Sequence, residues 1–150
     1  MLTNTLSKLF SRDLNALIRE INLYKDEKTL WIIDKEISNS AGNLCLHLVG
    51  NLNYFIGEVL GDSGYKRQKD LEFSLKDISK SELIKQVNDT ITVIENTLQQ
   101  LTREDLQKKY KLQVFKTIKE MTVEYFLIHL SMHLAYHLGQ VNYHRRLLDI

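Results

Sequence analysis

Proline is absent from the 150 residues, and glycine occurs only six times. At average usage a chain of this length carries about seven or eight prolines. Proline deletes a backbone donor and clashes with the preceding helical turn, so its absence points to long, unbroken helices. A single cysteine, Cys45, excludes an internal disulfide and makes a reducing, cytoplasmic setting the default. Twenty Lys and Arg against 19 Asp and Glu leave a net charge of +1. That balance removes any global case for nucleic acid, which needs a surplus of cations on one face. No apolar run approaches the roughly 18 residues of a membrane span. The opening Met1-Leu2-Thr3-Asn4 lacks the charged-then-apolar order of a signal peptide. What remains, 43% hydrophobic and 26% charged residues, is a globular composition, and one domain over residues 1–150 is expected.

Four segments carry helical spacing. The first, Leu2 to Tyr24, repeats Leu6, Phe10, Leu14, Leu17, Ile21 and Tyr24 three or four apart. The second runs from about Asn43 to Leu60, with Gly61 in the place favoured just beyond a helix end. The third opens on the capping-box pattern Ser79-Lys80-Ser81-Glu82 and continues to about Leu101. The fourth starts between Thr117 and Thr122, with Thr117-Ile118-Lys119-Glu120 as a second capping box, and reaches about Leu148. The connections 25–41, 62–78 and 102–116 are long, and the alternation in Tyr110-Lys111-Leu112-Gln113-Val114 fits a short extended piece. An all-α four-helix bundle with at least one crossover follows.

Three of the five histidines fall in one run, at positions 129, 133 and 137. Residues four apart on a helix are neighbours on one face, so one adjacent pair can share a metal ion. His129 and His137 lie about 12 Å apart along the axis and cannot; His144 is about 16 Å from His133. A third ligand has to come from another helix, and His47, within Leu44-Cys45-Leu46-His47-Leu48-Val49, is the histidine left. Three neutral imidazoles leave a divalent ion at least one open position, the arrangement of a catalytic site. The plainer reading, partly exposed or hydrogen-bonded histidines, stands beside it. Cys45 points away from the histidine face and reads as a buried small hydrophobe. Trp31 reads as an anchor for the first connection, and Gly139 as a place where two helices approach closely.

The segment Asn39-Ser40-Ala41-Gly42-Asn43-Leu44-Cys45-Leu46-His47-Leu48-Val49-Gly50-Asn51-Leu52 resembles the second-helix signature of the DinB/YfiT-like metal-binding superfamily, in particular its DUF1572 branch. Arg67-Gln68-Lys69-Asp70-Leu71-Glu72-Phe73 is similar to that branch's charged stretch, and His133-Leu134-Ala135-Tyr136-His137-Leu138-Gly139-Gln140 to its fourth-helix motif. The resemblance implies an up-down-down-up four-helix bundle whose long crossover is residues 62–78. It also implies a divalent ion, zinc, nickel, iron or manganese, held by His47, His133 and His137. Asn51, Gln140, His129, Tyr136 and Arg67 are expected around those ligands or at the pocket. Leu138 departs from the pattern, since many relatives carry Arg there.

Characterised relatives implied by the resemblance use small thiols, as bacillithiol S-transferases and mycothiol-dependent isomerases do. A metal-held thiolate suits the site because coordination removes the thiol proton at neutral pH. A hydrolase that lowers the pKa of a metal-bound water is the second expectation, with Glu58 or Asp70 as base. The third is a non-catalytic bundle acting through its surface. Arg67, with Lys66 and Lys69, is a candidate contact for an anionic cosubstrate. A small-molecule substrate, a homodimer, and no nucleic-acid or membrane partner complete the expectations.

Overall fold

The computed structural model describes residues 1–150, and every regular element in it is helical. The long helices are α1 (Leu2–Leu23), α2 (Ala41–Leu52), α4 (Lys80–Gln100) and α6 (Val123–Leu148). Short helices α3 (Lys69–Ser74) and α5 (Arg103–Gln107) and a 3₁₀ turn (Glu27–Trp31) occupy the connections. Helix α2 runs on through a π-helical stretch, Asn53–Glu58, into Val59–Gly61. None of the helices is long and apolar enough to cross a membrane.

Helix α1 packs on α4 and α6, and α2 packs on the same two. Side-chain pairs fix their directions. Ser11 meets Glu95 while Lys80 reaches the carbonyls of Asn22 and Tyr24, so α1 and α4 run antiparallel. Glu20 pairs with both Asn142 and Arg145, at the far end of α1 and of α6, and these two are parallel. Asn53 bonds Thr90 as Gly61 abuts Thr97, making α2 and α4 parallel. Phe55 meets Phe126 edge to face, and His47 meets His133 in the same way, making α2 and α6 antiparallel. Between them lies one cluster of 29 buried apolar residues, which includes Leu6, Phe10, Leu14, Leu17, Ile21 and Tyr24 of the α1 stripe.

Helix starts differ from the sequence pattern in instructive ways. Helix α6 begins at Val123, its first turn capped by the Thr122 hydroxyl accepting from the Tyr125 N–H; Thr117–Glu120 is turn, not helix. The full capping box is Thr102 with Asp105, at the front of α5, inside a segment expected to be an irregular connection. Residues 110–114 form no strand; an isolated bridge joins Lys109 and Thr122. Gly61 is the last helical residue rather than the residue beyond, and Asp62 takes the left-handed turn at φ 48°. A Cβ on Gly61 would sit 2.6 Å from Thr97 Oγ1, so the glycine serves the α2–α4 contact. Gly139 is the reverse case: nothing lies within 4 Å of a Cβ there.

Two ties position the site. Asp149, at the end of α6, accepts the backbone N–H of Lys25 and Asp26 and the Thr29 hydroxyl, fixing the turn that follows α1. Asn43, in the first turn of α2, donates to the carbonyls of Glu72 and Leu75 and so clamps the C-terminal end of α3 against α2.

Candidate metal centre

Helix α2 offers His47, and α6 offers His133 and His137 from successive turns. His133 Nε2 lies 3.3 Å from His47 Nε2 and 3.1 Å from His137 Nε2. One ring nitrogen from each residue falls within 4.8 Å of the others. Tetrahedral zinc with Zn–N of 2.0–2.1 Å separates its ligand nitrogens by about 3.3 Å. The two separations from His133 match that edge, and three imidazoles leave a fourth position of a tetrahedral ion free. The residues fit a divalent ion.

Outer partners aim two of the three rings. Glu72 Oε1 accepts from His47 Nδ1 at 3.0 Å, and Gln140 Oε1 accepts from His137 Nδ1 at 2.7 Å. Each bond holds the proton on Nδ1 and leaves the Nε2 lone pair facing its neighbours, the usual way metal-binding imidazoles are oriented. His133 Nδ1 is buried without a partner. Phe73 covers the His47 ring, with centroids 5.0 Å apart.

Glu72 is the residue that sequence reasoning missed. It sits on α3 in the charged crossover, only 6% exposed. Arg67 binds it at two points, Nε to Oε2 at 2.8 Å and Nη2 to Oε1 at 2.9 Å. Burial pushes the Glu72 pKa up, but the hydrogen bonds and charges of Arg67 and His47 outweigh it, and the net shift is downward. Glu72 is therefore an anion at neutral pH. Its carboxylate fits because position 50 is glycine: a Cβ there would stand 2.0 Å from Glu72 Oε2. Gly50 was visible in the sequence, but nothing local says which side chain fills its gap.

The other expected site residues separate. Arg67 is engaged by Glu72 and stacks over Phe55, so it is not a free cation awaiting an anionic cosubstrate. Asn51 is buried and bonds none of the histidines; its Oδ1 has no partner. His129 packs against Phe115 and Phe126 outside the nitrogen cluster. Tyr136 is largely exposed, its ring edge-on to His137. Glu58 accepts from the Gly64 N–H, and Asp70 is exposed; neither bonds the cluster. Burial pushes the Cys45 thiol up to about 12, which removes it as a nucleophile. Trp31 packs against the core over Gly42.

A cavity of about 540 Å³ adjoins the centre, with His137 and Gln140 in its wall. A family model described as "Protein of unknown function (DUF1572)" matches residues 3–149. The chain belongs to the DUF1572 family. No curated protein matches it. The DUF1572 match spans all three histidines, Glu72 and Arg67.

Two outcomes follow. Glu72→Gln keeps an acceptor for His47 but removes the charge, and lowers metal affinity about tenfold or more in competition with a chromophoric chelator. Unchanged affinity would contradict the role given to Glu72. Burial, then the charges of the neighbouring histidines, lowers the His133 pKa from 6.5 to about 4, and burial also lowers that of His137. The unfolded chain thus takes up these protons first, so metal-free protein loses stability as pH falls from about 6.5 towards about 4. Thermal midpoints of metal-free protein at pH 7.5 and pH 5 read this directly, and equal midpoints would refute it.

Proposed function

We propose that this chain is a single-domain, cytoplasmic, metal-dependent enzyme of the DinB/YfiT-like kind, a four-helix bundle in up-down-down-up order. The helix directions set out above and the crossover at residues 62–78 support that kinship. The observation that carries the functional reading is the set of three Nε2 atoms spaced for one ion, two of them oriented by Glu72 and Gln140.

His47, His133 and His137 would hold a divalent ion: zinc, nickel, iron or manganese, all compatible with imidazole. When bound, that ion supplies a free position at which a small thiol is held deprotonated at neutral pH. The reaction is S-transfer. The thiol sulfur forms a bond to an electrophilic carbon, the leaving group departs with its electron pair, and the thiol proton goes to solvent. Hydrolysis is the weaker alternative, because a hydrolase of this type needs a carboxylate base beside the ion. The carboxylate at the centre is Glu72, and both its oxygens are committed to Arg67 and His47.

The test is turnover with simple reagents. Protein loaded in turn with zinc, nickel, iron and manganese is given 2-mercaptoethanol and 1-chloro-2,4-dinitrobenzene, and thioether formation is followed by absorbance. At least one loaded form accelerates the reaction, and His133→Ala does not. Loaded protein that never exceeds the buffer rate with this or a second electrophile would refute S-transfer.

A second feature supports self-association. Tyr125, Ile128, Met132, Tyr136, Tyr143 and Leu147 are exposed along one face of α6, three, four or seven residues apart, with open Gly139 among them. The stripe is about 33 Å long. Its large side chains expose on the order of 700 Å², close to the roughly 800 Å² per partner of a standard interface. A second copy of this chain fits that area, with the glycine admitting close backbone approach. Light scattering on a sizing column should give twice 17.6 kDa for the wild type and the single-chain mass for Met132→Glu. A single-chain mass for both would overturn the homodimer.

A further inference from the structure

The cavity beside the histidine centre is polar in one particular sense. Its wall includes Glu36, Ser38, Asn39, Tyr136, Gln140 and His144, and neither lysine nor arginine contributes to it. The rim is a defined turn: Ile37 N–H donates to the Asp34 carbonyl at 3.1 Å, with Lys35 left-handed at φ 52°. That turn brings Glu36, Ser38 and Asn39 to the cavity edge. Glu36 is exposed and forms no ion pair.

His144 is the second observation. It is only 8% exposed, and its Nδ1 is buried without a partner. Its Nε2 has no protein partner either and is not among the fully buried atoms, so the accessible edge of this ring meets the cavity. Burial lowers its pKa, and the ring is neutral at neutral pH. His144 lies two turns beyond His137, roughly 10 Å along α6. A ligand seated in this cavity can therefore reach from the His137 end to the His144 end only if it is about that long.

The geometry points to a substrate pocket for a non-anionic ligand, a small molecule whose far end carries an ammonium or hydroxyl group. Glu36 supplies its counter-charge and His144 its hydrogen-bond partner. A carboxylate or phosphate at that end would meet an unpaired carboxylate and no cation, a like-charge contact that disfavours binding. This rests on the S-transfer reading and narrows its thiol to an amine- or hydroxyl-bearing one. It also runs against the expectation of an anionic cosubstrate, since Arg67 is taken up by Glu72.

Paired probes test it on cobalt-loaded protein, where a thiol bound to the ion gives a sulfur-to-cobalt absorption band. 6-Aminohexane-1-thiol carries an ammonium and 6-mercaptohexanoate a carboxylate on chains of similar length, both long enough to reach from the ion to the far end of the cavity. The informative quantity is the ratio of their dissociation constants in wild type and in Glu36→Lys, whose surface position leaves the fold intact. The ratio should shift by about tenfold or more toward 6-mercaptohexanoate in the variant. His144→Phe, which keeps a ring of similar size, should weaken 6-mercaptohexan-1-ol binding severalfold while leaving cobalt content unchanged. Both thiols binding with an unchanged ratio would overturn the pocket assignment and leave S-transfer standing. Cobalt loading with no thiol band in any variant would overturn the open-position reading, and this inference with it.

Discussion

A carboxylate buried beside an imidazole has to have its charge matched, and the way this chain matches Glu72 organises the whole centre. Leaving such an ion unpaired costs several kcal/mol, while a well-formed pair with its hydrogen bonds complete roughly breaks even. Arg67 closes two bonds on Glu72 and His47 closes the third. The result is a chain of contacts from the crossover, through the carboxylate, to the ring that faces the two histidines of α6. The crossover is thereby part of the centre's wall and not a spacer between helices.

That arrangement makes demands elsewhere in the fold. Helix α3 must lie against α2 closely enough for its side chain to pass over Gly50, and the Asn43 amide holds the end of α3 there. The π-helical stretch after α2 disturbs the regular ladder near the centre, and Tyr110 hydroxyl donates to the Phe55 carbonyl within it. At the opposite side, Asp149 ties the end of α6 to the turn after α1 and so sets where the following chain, with Glu36, meets the cavity. Stability and site geometry are shared among the same few polar contacts.

The long helices were legible from their apolar spacing, and Ser79 and Thr122 also supply capping hydroxyls at the starts of α4 and α6. His133 and His137 were legible as a pair because spacing by four is a geometric statement on a helix. Glu72 was not. It stands 25 residues from His47 in a charged crossover, and no period relates the two. Arg67 was noticed as a cation but not as a partner for Glu72. Helices of five or six residues, α3 and α5, are too short to display a period. Gly139 misled because a glycine in a helix signals close approach, and here nothing in the chain lies within 4 Å of where its Cβ would stand.

The central claim is that three converging imidazoles hold one divalent ion. Elemental analysis of protein purified without a histidine tag, beside its His133→Ala variant, tests it most directly. The account predicts close to one zinc, nickel, iron or manganese ion per chain in the wild type and its loss in the variant. No bound metal in either protein, even after incubation with each of the four ions, would contradict it.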